Sequence, residues 1–381
     1  MPSFNHRASK LSTTLFTMCL AVAALPAAAQ QVGVRALPEQ PLLESTRDGQ
    51  DLNFDLVFNN PGDKALTLER LEVTWFDPSG AFLGQRRLDQ NGDDTTMGIV
   101  TVPNRTLPAR GRLVVFNPFQ HFRAPLWLGD LRYSAVFSTG EKDAPEQRVE
   151  LRVAPTAFAP RTALALPVSG SSFIHDGHDL TSHHRRLDIT GDMTTHFGIA
   201  ANFTRYAHDF CVTDAQGRLY RTDGATPEDW YGFGTPIVAT GDGVVAEMHD
   251  GMPDNRKGAP PPFDQAAIMK NLKLFLGNYV ILDHGNGEYS LFAHLKQGSV
   301  RVKAGQRVER GAAIGGMGMS GDAFLVHLHY QLQSGSGFDK EGLPAIFEGV
   351  QFATGHGWSP AATSAVDSGD IVRSAPAGNS R

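Results

Sequence analysis

Leu52-Asn53-Phe54-Asp55-Leu56-Val57-Phe58, followed by the run Asn59-Asn60-Pro61-Gly62-Asp63, decides the fold class. Leu52, Phe54, Leu56 and Phe58 recur at every second residue, which places them on one face of a β-strand. The run behind them is turn chemistry, since Pro presets φ and Gly and Asn accept positive φ. Leu71, Val73 and Trp75 repeat the alternation before a second turn, Asp77-Pro78-Ser79-Gly80. Further strands are expected over 113–116, 133–137 and 149–153. Strands at this spacing, without helical periodicity, predict an antiparallel β-sandwich of immunoglobulin-like type over 30–154. That region has no His/Asp/Glu cluster with ligand spacing, so it reads as a packing or binding module.

Outward from this stretch the chain divides further. Residues 1–29 carry Arg7 and Lys10, then a short apolar run from Leu15 to Leu25, then Ala27-Ala28-Ala29, the pattern of a cleaved secretory signal. Its apolar run is too short to span a membrane. Secretion or a periplasmic location is the expectation. Removing the segment removes two positive charges and takes the formal net charge from −6 to −8. With no basic block, nucleic-acid binding has no electrostatic footprint. Cys211 is then the lone cysteine, so no internal disulfide is available and a buried, inert thiol is expected. The Ala/Pro-rich stretch 155–166 reads as a linker, and 356–381, rich in Gly, Ser and Ala, as a disordered tail. Between them, 167–355 is again strand and turn. Tyr289 to His294 is expected to pair with Asn278 to Asp283 across His284-Gly285-Asn286-Gly287, and Thr240-Gly241-Asp242-Gly243 reads as a hairpin signal. In the insertion 251–277, Asp264 to Leu274 could form one short helix with Asp264 as N-cap. The fold class is therefore mainly β, with a C-terminal antiparallel β-sheet bearing a groove.

The chemistry concentrates in this second region. Val326-His327-Leu328-His329-Tyr330 puts two imidazoles on one strand face and Leu328 on the other. His294 lies in Phe292-Ala293-His294-Leu295 upstream. His175, His178, His183, His184, His196 and His208 crowd the approach to Asp209. A catalytic zinc needs three protein ligands and an open position, together with a base and a donor to the developing oxyanion. His329 and Asp209 suit the ligand role. His294 and His327 are left for proton work and oxyanion stabilisation. His208 neighbours Asp209 on an expected strand and should face the opposite way.

In order, the blocks Tyr206-Ala207-His208-Asp209-Phe210, Gly234 to Ala239, Gly241 to Val245, Gly277 to Gly285, Phe292 to Leu295, Val302 to Val308 and His327 to Tyr330 resemble the lysostaphin-type (LytM-like) zinc metallopeptidases. Those enzymes cut peptide bonds in bacterial cell-wall peptidoglycan. The resemblance covers roughly 165–350. It implies zinc on Asp209 and His329, His294 and His327 as the catalytic pair with His327 as general base, and a substrate-placing role for Asn278. Peptidoglycan peptides are the implied partner. Many members carry the first ligand His four residues before the Asp, where this chain has Arg205. A subset carries an earlier His followed by Arg-Arg, which His184-Arg185-Arg186 matches, so His184 is the implied third ligand, with His183 and His196 as competitors. His183 would point away if that segment is extended.

Three other readings compete with this one. A lysostaphin-like regulator would bind the wall or activate another hydrolase without cutting; its mark would be missing ligands, and here both catalytic histidines are in place. A lipoyl- or biotinyl-type carrier needs an exposed Lys at a hairpin tip, where this chain has Asp242. A sugar-binding sandwich would leave the histidines without a purpose.

Overall fold

The computed structural model describes residues 31–47, 49–89, 105–116, 121–123, 127–177, 179 and 182–375. The expected signal segment 1–29, His178 and residues 376–381 lie outside these. The protein is mainly β, 44% strand and 6% helix.

In the N-terminal region, Asp55–Asn59 is the centre of a three-stranded antiparallel sheet, between Gly33–Leu37 and Arg112–Phe116. It faces a second sheet in which Asp130–Ser138 and Leu66–Phe76 are the inner strands. Leu52, Phe54, Leu56 and Phe58 all enter the core between the layers. Phe54 meets Tyr133 edge-on at 5.9 Å and Phe58 meets Phe137 at 5.1 Å, a preferred geometry for aromatic pairs. The other face of this strand is also buried. Val57 packs with Ile189 of the second region, and Asn53 and Asp55 have no exposed surface.

The second region is built on an eleven-stranded sheet. Its central order is Gly243–His249, Asn278–Asp283, Tyr289–Leu295, Leu328–Gln333, His208–Cys211 and Ser171–Asp176. The expected pairing of Asn278–Asp283 with Tyr289–Leu295 is present. Leu328, Tyr330 and Leu332 point into the main apolar core, with Phe210 and Phe292. The opposite face of the same strands carries the site. Cys211 is buried and free, and burial pushes its thiol up.

Four expectations change here. Thr240 to Gly243 does not close a hairpin: Pro236–Val238 pairs with Ala313–Gly316, while Gly243–His249 joins the large sheet. Asp264 does cap a helix through Ala267 N–H, but that helix is only Gln265–Ile268, and Asn271 caps a separate 3-10 turn, Leu272–Leu276. The stretch 155–166 is not a free linker, because Thr156–Ala157 pairs with Leu42–Ser45 and Leu164 and Leu166 lie in the core. The described part of the expected disordered tail forms strands. Gly357–Ser364 pairs with Phe347–Thr354, and Ile371–Ser374 lies between Phe347–Thr354 and Ser171–Asp176. Backbone pairing has no composition signature, and Ile371–Ser374 buries just Val372 fully, so no apolar alternation marked it.

Removing 356–381 is therefore expected to destabilise the protein. Val366 and Val372 are fully buried, and two such side chains are worth about 3 kcal/mol or more. Urea unfolding of the truncated chain measures this. A loss under about 0.5 kcal/mol, within the usual effect of a surface change, would contradict the assignment.

Candidate metal centre and proton-transfer groove

Strand register assembles the site. Asp209 lies opposite His329, and His329 lies opposite Ala293 on its other side. His327 and His329 share one strand face. His294 joins them through an irregularity: the pairing of Tyr289–Leu295 with Asn278–Asp283 shifts between Asn278 and Val280, and His294 has φ of 60°. A non-glycine residue in the left-handed region costs on the order of 1 kcal/mol. Here the bulge turns the His294 ring toward His327, with ring centres 4.7 Å apart. Bulges beside active sites commonly re-aim a side chain in this way.

Three imidazole nitrogens surround one carboxylate oxygen. Asp209 Oδ1 is 3.2 Å from His329 Nδ1, 3.5 Å from His184 Nε2 and 3.5 Å from His327 Nε2. Donors about 2.0–2.1 Å from a tetrahedral Zn²⁺ stand about 3.3 Å from one another, so these separations fit that ion. Ring contacts link the histidines in one series: His183 meets His184 at 4.0 Å, His184 meets His329 at 4.8 Å, His329 meets His294 at 5.8 Å and His294 meets His327 at 4.7 Å.

The second nitrogen of most of these rings is committed elsewhere. His329 Nε2–H donates to Gln331 Oε1 at 2.9 Å, and Nδ1 of the same ring faces Asp209 Oδ1 at 3.2 Å. Gln331 is itself held by Gln333, and Gln333 by the Gly335 carbonyl. His294 Nδ1–H donates to Ser320 O at 2.8 Å and His327 Nδ1–H to Leu325 O at 3.0 Å. Both therefore present bare Nε2 atoms. Such partners orient metal-binding and catalytic imidazoles and select the tautomer. Sequence reading did not single out Gln331 or Ser320. Gln331 had a signal, since it lies two residues after His329 on the same strand face.

Burial drives the protonation states. It pushes His184 down to about 3, with Asp209 opposing and His329 adding to the shift. It also holds His294 well below the ordinary imidazole range and lowers His327. Burial raises Asp209, but the positive charge that His184, His327 or His329 carries when protonated, with the hydrogen bond from His329, outweighs it and holds the carboxyl well below the usual carboxylate range. For His184 the folded value lies below the ordinary 6.5, so folding favours the neutral ring. That contribution is complete above about pH 6.5 and is lost as pH falls toward 3. Chelator-treated protein is accordingly expected to lose on the order of 2 kcal/mol between pH 7 and pH 5. Thermal melts across that range check it, and a flat profile contradicts it.

The other sequence candidates separate clearly. His196 lies on the short helix Asp192–His196, exposed, with Nε2 on the Met269 carbonyl. His208 faces away from Asp209, as expected, and reaches Val366 O at 3.1 Å. His183 does not point away from the site. The segment is a 3-10 turn, His184–Arg186, rather than extended, and both rings line the groove. His183 is hydrogen-bonded to Asp176, which also lies 3.7 Å from His184 Nδ1. Asp176, His183, His184 and Asp209 all present ligand atoms within 4.8 Å of one another. Asn278 does not line the groove. It is fully buried, and its amide ties Met252 of the insertion to Leu295. Arg205 is also buried, with Nη1 on Asp55 at 2.9 Å and Nε on Glu341.

The groove encloses about 660 Å³. Its apolar lining includes Met193, Ile199 and Phe203 together with Leu272, Phe275 and Leu276 of the insertion, and all but Leu276 belong to one packed cluster. A buried carboxylate ringed by imidazoles can bind one divalent ion and leave imidazole nitrogens beside it for proton transfer, the parts that a metal-dependent hydrolase uses. Residues 229–340 match Peptidase family M23, so the chain carries an M23 metallopeptidase domain. His294, His327 and His329 fall inside that match; His184 and Asp209 precede it.

Two curated relatives are similar to part of this chain. The peptidoglycan DD-endopeptidase ShyA of Vibrio cholerae is 34% identical over 111 residues, 29% of this chain and 19% of that protein. The peptidoglycan DD-endopeptidase ShyC of the same organism is 34% identical over 98 residues, 26% of this chain and 17% of that protein. The matched part thus spans under a fifth of the length of either relative. The solved catalytic domain of lysostaphin from Staphylococcus simulans covers 46% of this chain and 88% of its own, at 18% identity and a TM-score of 0.24.

Proposed function

We propose that this protein is a zinc-dependent endopeptidase that hydrolyses peptide bonds of bacterial cell-wall peptidoglycan, outside the cytoplasm. The observation that carries the reading is the convergence of His184, His329 and His327 on Asp209 Oδ1, beside His294, in one groove. The names of the two Vibrio cholerae relatives support the substrate class. Among the described residues, no helix is long and apolar enough to cross a membrane.

His184, Asp209 and His329 would hold the zinc. When bound, the ion supplies Lewis acidity and a hydroxide nucleophile at neutral pH. The chain's own residues do the rest. His327 Nε2, bare and close to Asp209, takes the proton from the attacking water and returns one to the leaving amine. His294, with its Nδ1–H on Ser320 O and its Nε2 bare, accepts a hydrogen bond from the attacking water and helps orient it. The apolar walls hold the peptide and exclude bulk water, which strengthens these interactions.

Incubating purified, zinc-loaded protein with peptidoglycan sacculi tests the proposal. New amino and carboxyl ends should appear on the released peptides, and a chelator should abolish them. Absence of any cut by metal-loaded protein would leave a wall-binding regulator as the better reading.

A further inference from the structure

We infer that Arg205, clamped between Asp55 of the N-terminal sheet and Glu341, positions the metal ligand His184, so that the N-terminal β-layers form part of the metal site. The inference rests on the proposed ligand role of His184. That residue lies in a three-residue 3-10 turn with no side-chain cap of its own. Its carbonyl is instead pinned by two side chains about twenty residues onward. Thr204 Oγ1 donates to it at 2.8 Å and Asn202 Nδ2 at 3.2 Å. Asn202 is fully buried, and its Oδ1 accepts Thr204 N–H at 3.0 Å, which locks the pair together.

This 202–205 turn is held from below by Arg205. Its backbone N–H donates to Asn202 O, which also accepts from Gly342 at 3.0 Å. Its guanidinium joins Asp55 and Glu341, and the other oxygen of Glu341 accepts Asn202 N–H at 3.3 Å. Asn53 Nδ2 donates to the Arg205 carbonyl at 3.1 Å. The route from Asp55 through Arg205, Glu341 and Asn202 to His184 is thus continuous and buried for most of its length. Only a planar fork bridges two carboxylates in fixed directions, and a Lys point charge would not. A compact sequence-local ligand is replaced here by a longer tertiary support.

The test uses the full chain and three variants. Asp55→Asn removes one charge of the clamp. Asp55→Leu with Arg205→Met removes the fully buried pair together, so that neither of the two is left as a lone interior charge, and leaves Glu341 at a partly exposed position. Arg47→Ala cuts a different contact between the N-terminal layers and the large sheet, the Arg47–Asp370 pair at 3.1 Å. Zinc affinity is read by chelator competition and ligand geometry by the visible spectrum of the cobalt-substituted protein. Asp55→Asn and the double variant should weaken zinc at least tenfold and alter the cobalt bands, while Arg47→Ala changes neither. Unchanged zinc affinity and spectrum in folded Asp55→Asn would overturn the inference. So would an equal loss in Arg47→Ala, which would mark general loosening of the layers. If Asp55→Asn does not fold, the double variant decides on the same criteria. Wild-type protein that binds no zinc would remove the ligand role of His184 and this inference with it.

Discussion

Asp209→Ala is expected to purify without zinc and to cut peptidoglycan at least about 10³-fold more slowly. Asp209 Oδ1 is the point on which His184, His327 and His329 converge. Its removal leaves imidazoles with no anionic ligand among them. The carboxylate is fully buried and ionised, so its charge is already in place for a cation. Metal analysis of the purified variant and initial rates on sacculi measure the effect. Stoichiometric zinc in Asp209→Ala would place the metal elsewhere, and the neighbouring Asp176 with His183 would become the first place to look.

The second large effect separates the ligands from the catalytic pair. His294→Ala and His327→Ala should each keep zinc yet lose about 10²–10⁴-fold in rate, the usual worth of positioned acid–base groups. The physical ground is where the second nitrogen of each ring is held. Ser320 O and Leu325 O hold His294 and His327 with bare Nε2 atoms. Gln331 instead presents Nδ1 of His329 to Asp209. Distances to Asp209 alone do not separate His327 from His184, because both stand at 3.5 Å. Retained zinc with lost activity in His327→Ala, against lost zinc in His184→Ala, would draw that line. The reverse result would exchange the two roles.

Much of this could be read along the chain. The period-two pattern at Leu52, Phe54, Leu56 and Phe58 is a local property of strand geometry, and those four side chains do fill one core. The pair His327 and His329 is local in the same sense, since two residues on a strand face one way whatever surrounds them. The opposite facing of His208 and Asp209 follows from the same rule.

Tertiary structure decided the rest. Whether His184 or His196 approaches Asp209 depends on how the chain between them folds back, and loop closure barely distinguishes such separations. The ring of His183 lies beside that of His184 because the segment coils into a 3-10 turn, against the alternation of an extended strand. Ile371–Ser374 became an inner strand through backbone hydrogen bonds that any composition can make. Asn53 and Asp55, polar positions between the apolar residues of the first stretch, are buried because Arg205 meets them from a segment some 150 residues away. Periodicity reports how a strand turns its faces. Which partner covers each face is set by long-range contacts, and these leave no mark in the local order of residues.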